Sequence, residues 1–118
     1  MKEQIKRGEI YYINLGDTVG SEQDGIRPCI IVQNDIGNLY SPTTQVIPLT
    51  TQSKKTHLPT HALISSTCGL NADSIALVEQ LRTVDKSRLG AFVGCINKME
   101  QIVIDKAIAI SMGLEVGA

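Results

Sequence analysis

The sequence predicts a mainly β fold with a C-terminal helix, built as a small antiparallel barrel on which the helix packs. Three observations predict it. Short β-branched runs recur between turn-forming clusters of Gly, Pro, Asn and Asp. Helical spacing behind a capping signature is confined to the last segment. The chain has 118 residues, enough for one domain (1–118) with one modest core. With no tryptophan and one phenylalanine, Val, Ile and Leu must fill that core.

The elements follow in order. Residues 9–15, Glu-Ile-Tyr-Tyr-Ile-Asn-Leu, have strand composition and end at Gly16. Residues 16–26 form a polar loop punctuated by Gly16, Gly20 and Gly25, too long for a tight hairpin and of the length that functional loops reach. Residues 28–33 are nearly all apolar, as expected of a central strand, and 34–38 with Ser41-Pro42 carry turn signals. A third strand spans about 44–49, and a second polar loop covers 50–59. Further strands are expected at 61–65, 74–78 and 91–96. Asn97 then reads as a helix N-cap with Glu100 at the capping-box position. Ile102, Val103, Ala107, Ile110 and Leu114 recur at helical spacing and are expected to face the barrel, with Ile104, Ile108 and Met112 off that stripe.

Composition narrows the function classes. The net charge of -1 weighs against a non-specific nucleic-acid binder, although Lys54, Lys55 and His57 cluster in one segment and Arg82, Lys86 and Arg88 in another, so a local basic groove is compatible with it. Cys29, Cys68 and Cys95 are widely separated and read as free thiols in a reducing compartment. With His57 and His61 the only imidazoles, no metal site and no cofactor are expected. No apolar run has the length of about 20 residues that a membrane span needs. The charged start, Met1 to Arg7, precedes no apolar stretch of a signal peptide, so a cytoplasmic location is expected.

Candidate chemistry emerges from register. If the second and third strands pair antiparallel about a centre between Asn38 and Leu39, Arg27 falls opposite Thr50 at one barrel rim. Both long polar loops leave at that rim, gathering Ser21, Glu22, Gln23, Arg27, Thr50, Gln52, Lys54 and Lys55. A guanidinium presents fixed donors to phosphate oxygens and stabilises charge developing on phosphorus, and Thr adds a donor. RNA carries its own nucleophile, the 2′-hydroxyl, so the protein need only align it and move protons, without metal. Glu22 is the nearest candidate general base. Taken singly, each residue also has an ordinary structural role: a solvated arginine, a turn threonine, a loop carboxylate.

Several segments in fixed order add a family likeness. Lys6-Arg-Gly-Glu-Ile-Tyr-Tyr12, Val19-Gly-Ser-Glu-Gln-Asp-Gly-Ile-Arg-Pro28 and Ile30-Ile-Val-Gln-Asn-Asp35 resemble the N-terminal half of the MazF/PemK mRNA interferase family. Ser41-Pro-Thr43, Leu58-Pro-Thr-His61, Leu77-Val-Glu-Gln-Leu-Arg-Thr83 and Asp85-Lys-Ser-Arg-Leu89 look like its later landmarks. The resemblance implies an SH3-like barrel that dimerises, cuts single-stranded RNA at short sequences without metal, and is inhibited by a cognate antitoxin whose disordered tail fills the substrate groove. It places the family's catalytic arginine on Arg27 and its catalytic threonine on Thr50, with Thr51 as the alternative. Ser21, Glu22 and Gln23 match the loop flanking the substrate. RNA contacts are expected from Ser21, Gln23, Asn34, Gln52, Lys54, Lys55, His61 and Gln80, with Gln80 placed only by the family-like Val-Glu-Gln-Leu segment.

Two other functions compete with this reading. A gyrase poison of the CcdB type shares the barrel but acts through a C-terminal Trp-Gly-Ile, whereas this sequence ends Glu115-Val-Gly-Ala118. A non-catalytic RNA- or peptide-binding barrel would use exposed aromatics, and only Tyr11, Tyr12, Tyr40 and Phe92 are available, two of them expected inside.

Overall fold

A computed structural model describes residues 4–51 and 58–114. Among these residues lie seven strands: β1 (Glu9–Asn14), β2 (Ile26–Ile31), β3 (Thr43–Thr50), β4 (His61–Ile64), β5 (Ser74–Leu77), β6 (Arg82–Asp85) and β7 (Leu89–Cys95). Two helices accompany them, α1 (Asp35–Tyr40) and α2 (Lys98–Met112). The strands pair in the order β4-β5-β3-β2-β1-β7, with β6 added to the other stretch of β3, and every pairing is antiparallel.

Alternation along the central strands feeds two cores. Neighbouring side chains on a strand point to opposite faces. Accordingly Ile10, Ile30 and Ile47 join one buried cluster, whereas Tyr11, Ile31 and Val46 join another. A strand buried on both faces has no polar side to show, which is why β2 reads as nearly continuous apolar sequence. Tyr11 is buried and meets Phe92 edge-on at a centroid distance of 5.4 Å, while Tyr40 stands exposed.

The two ends of the strand path, β4 and β7, do not pair with each other among the described residues. A short 3-10 turn, Ser66–Cys68, packs against β7 there instead. A Cβ on Gly94 would lie 1.6 Å from the Cys68 carbonyl oxygen, and one on Gly69 would lie 2.4 Å from that of Val93. Only residues without side chains let the two backbones come this close.

Three expectations from sequence need correction. The strand β6 was not anticipated, because the short polar Arg-Thr-Val-Asp segment buries only Val84 and so shows little apolar pattern. The segment read as a turn at 34–38 instead opens α1, with the Asn34 side chain accepting from Gly37 N–H as N-cap. The third concerns α2. Its start is as expected, with a complete capping box between Asn97 and Glu100. Of the stripe named from sequence only Ala107 is buried, together with Ile104 and with Ile108 beside them, whereas Ile102, Val103, Ile110 and Leu114 are exposed. The two stripes have nearly equal apolar content, so periodicity could not choose between them. Tertiary anchors do: Glu100 accepts from Ser65 N–H at 2.8 Å, and Arg7 reaches Asp105 at 2.6 Å.

Candidate active site

The ladder between β2 and β3 runs through Ile31–Val46, Ile30–Ile47 and Cys29–Pro48, each pair equidistant from the Asn38–Leu39 peptide. That is the register expected from sequence. The ladder then stops. Pro28, next in line opposite Leu49, carries no N–H to continue it. Beyond that point Arg27 pairs with Ile13 of β1 and Thr50 with Ile75 of β5. The two strands take different neighbours at the point where the ladder ends.

A pocket of about 470 Å³ occupies that position, and its walls include Asp24, Arg27, Pro28, Leu49, Thr50 and Ser74. Arg27 Nε donates to the Asp24 carbonyl at 2.8 Å. Its terminal nitrogen has a looser contact, 4.0 Å, with the Asp24 carboxylate. A guanidinium anchored by Nε on a backbone carbonyl keeps its terminal N–H groups for an anionic ligand. Thr50 is almost wholly buried, and Thr51, the alternative, lies exposed on the same pocket wall.

A second pocket, about 450 Å³, adjoins the first: Pro48 lines one and Leu49 the other, and likewise Gln23 and Asp24. Glu22 lines this second pocket, not the one holding Arg27 and Thr50, and its carboxylate accepts from Val19 N–H at 2.6 Å. Gln23 is buried, with its Oε1 unpartnered. Gln80 accepts from Gln23 N–H at 2.8 Å and donates to the Ser21 carbonyl at 3.2 Å. His61 Nε2 sits 3.1 Å from Glu79 Oε2, the other oxygen of which accepts from Thr60, while His61 Nδ1 is buried without a partner.

Arg82, which sequence reasoning did not single out as a site residue, lines the second pocket. Burial pushes the Cys29 thiol up to a pKa of about 12 even though Arg82 and Arg27 both act to lower it. The signal available in sequence was its place in the family-like segment ending at Thr83. The other basic residues grouped with it disperse: Lys86 bonds the Asn38 carbonyl and Arg88 the Asn14 carbonyl. Asn34 is also remote in role, serving as the α1 cap at the opposite end of β2 from Arg27. Gln52, Lys54, Lys55 and His57 lie outside the described residues. Among the described residues no three His, Cys, Asp or Glu side chains gather as metal ligands, and no helix is long and apolar enough to cross a membrane.

With this geometry in view, the comparisons with known proteins fall on one family. The sequence pattern described as "PemK-like, MazF-like toxin of type II toxin-antitoxin system" matches residues 6–112. The chain belongs to the PemK/MazF toxin family. Among PemK/MazF relatives it is 43% identical to Endoribonuclease EndoA of Bacillus subtilis, covering 93% of this chain and 96% of that protein. It is equally 43% identical to Endoribonuclease MazF of Staphylococcus epidermidis, covering 93% and 92%. The fold matches MazF from Deinococcus radiodurans with a TM-score of 0.82 at 18% identity, over 96% of this chain and 100% of that one. It also matches a mycobacterial endoribonuclease solved in complex with its cognate antitoxin, with a TM-score of 0.78 at 23% identity over 98% and 100%. A mainly antiparallel β architecture with a C-terminal helix is thus common to the PemK/MazF structures and this chain. The CcdB-type alternative is disfavoured, since the relatives are named endoribonucleases.

Proposed function

We propose that this PemK/MazF toxin is an endoribonuclease that cuts single-stranded RNA at short sequences by attack of the substrate's own 2′-hydroxyl, and that a cognate antitoxin inhibits it. The carrying observation is that Arg27 and Thr50 line one pocket where β2 and β3 stop pairing. In this reading the scissile phosphate enters that pocket. The 2′-oxygen attacks phosphorus and gives up its proton, and the 5′-oxygen leaves and takes one, so the products are a 2′,3′-cyclic phosphate and a free 5′-hydroxyl. Arg27 stabilises the charge that develops on the phosphoryl oxygens. Thr50 supplies a further donor or positions the phosphate. Of the carboxylates, Glu22 is the proton acceptor that the sequence nominates, and Asp24 is the one lining the Arg27 pocket.

The neighbouring pocket, with Gln23 and Arg82, is the natural place for flanking nucleotides, while Gln80 on its wall has both ends of its amide engaged with the loop backbone. Ser21, His61, Gln52, Lys54, Lys55 and Asn34 complete the RNA-contact set proposed from sequence, although Asn34 serves as the α1 cap. A homodimer in the cytoplasm completes the proposal. Its support is the apolar outer face of α2, where Met99, Ile102, Val103 and Ile110 are exposed together. The deciding experiment is product end-group analysis in excess EDTA. Cyclic phosphate and 5′-hydroxyl ends are expected. Activity abolished by EDTA and restored by magnesium would overturn the mechanism.

A further inference from the structure

We propose that Gln80 is a positioning residue that holds the Arg27 guanidinium in place through the backbone of the 16–25 loop. The loop is tied at its base by Leu15 N–H to the Gly25 carbonyl at 2.8 Å and by Gly25 N–H to that of Gly16 at 3.1 Å. A tight turn from Val19 to Glu22 closes its tip. Between tip and base the loop has no strand partner. Gln80 takes that partner's place: its one planar amide accepts from Gln23 N–H and donates to the Ser21 carbonyl, as an edge of backbone would.

The clamp stands on firm ground. Gln80 closes a 3-10 turn, Val78–Gln80, whose first residue is fully buried and donates to the Thr60 carbonyl at 3.1 Å. The residue after Gln23 is Asp24, and its carbonyl is the acceptor for Arg27 Nε. One peptide therefore separates the Gln80 clamp from the anchor of the guanidinium. Gln80 itself lines the neighbouring pocket, not the one holding Arg27, so its effect runs through the loop. Displacing a reacting group by about 1 Å can lower a rate about 10²-fold. This inference rests on the reading that Arg27 acts on the scissile phosphate.

The test uses the full chain and steady-state cleavage of a short fluorogenic RNA, with circular dichroism on each variant. Gln80→Ala should lower kcat by on the order of 10² with KM changed less than about threefold and the cleavage consensus unaltered. Gln80→Glu keeps an acceptor for Gln23 N–H but turns a carboxylate on the Ser21 carbonyl. It should be slow at pH 8 and regain rate relative to wild type as pH falls toward 5, because the protonated acid supplies an O–H donor in place of the lost amide N–H. Gln80→Ala should show no such relative recovery. If Gln80→Ala fails to fold, the relative pH profile of Gln80→Glu decides alone. A Gln80→Ala enzyme with wild-type kcat, an altered consensus, or a raised KM alone overturns the inference, as does a flat relative profile for Gln80→Glu. Wild-type chain that leaves RNA intact, or Arg27→Ala that cuts normally, would sink the proposed function instead.

Discussion

Arg27 and Thr50 stand at matched distances from the Asn38–Leu39 peptide on β2 and β3, yet the ladder between those strands stops short of them. The ladder ends at Cys29–Pro48, after which Arg27 is held by β1 and Thr50 by β5. Pro28, next in line on β2, has no N–H with which to extend the pairing. The pocket that both residues line is the direct result. Predictions about the reaction start from this arrangement.

Arg27→Ala should abolish detectable cleavage while leaving the fold intact. The side chain is only partly covered, and its recorded contacts are with Asp24. Loss of one donor that stabilises developing charge lowers rate by about 10²–10³. Thr50→Ala should cost less. Native circular dichroism with near-wild-type turnover for Arg27→Ala would refute the assignment.

Glu22→Gln should lower kcat by less than about tenfold, because the amide oxygen can keep the Val19 N–H bond and the residue lies in the neighbouring pocket. A working general base contributes about 10²–10⁴. A loss of that size, with disappearance of the acid limb of the pH–rate profile, would instead make Glu22 the proton acceptor.

Gly94→Ala should destabilise the fold. The new methyl would stand 1.6 Å from the Cys68 carbonyl, a backbone atom that cannot swing aside like a side-chain tip. Overpacking costs about 1–3 kcal/mol. Thermal melts should show a clear drop for Gly94→Ala and a smaller one for Gly20→Ala, where nothing lies within 4 Å of a Cβ and the cost is only the strain of φ 59°, about 1–2 kcal/mol.

Cys29 predicts a loss of stability in alkali. Its thiol is fully buried and its pKa is pushed up to about 12 from 9.0. Between those values the unfolded chain gives up the proton and the folded one keeps it, so this contribution is present below pH 9 and declines as pH rises toward 12. Cys29→Ala, compared by urea melts at pH 7 and pH 10, should show a smaller alkaline loss than wild type. Identical pH dependence would count against it.

The dimer should depend on the outer face of α2. Val103→Glu with Ile110→Glu places charges on two exposed apolar positions that the intramolecular core does not use. Light scattering should show weaker association for the double variant. A wild-type monomer at micromolar concentration would contradict the proposal outright.

The sequence by itself determined six of the seven strands among the described residues, the β2–β3 register and the α2 start. Each rests on local or pairwise chemistry: β-branched runs between turns, apolar residues at matched distances from Asn38–Leu39, and the reciprocal Asn97–Glu100 bonds. Arg27 and Thr50 were legible together because register is a counting property of paired strands. Tertiary structure alone decided the rest. Which apolar stripe of α2 is buried depends on where Ser65 and Arg7 meet the helix. Glu22 falls in a different pocket from Asp24, two residues on, and a glycine-rich loop carries no periodicity from which to read its path. The tie from Gln80 to the loop spans 57 residues of chain, and nothing in local pattern encodes a contact between a side-chain amide and a distant backbone.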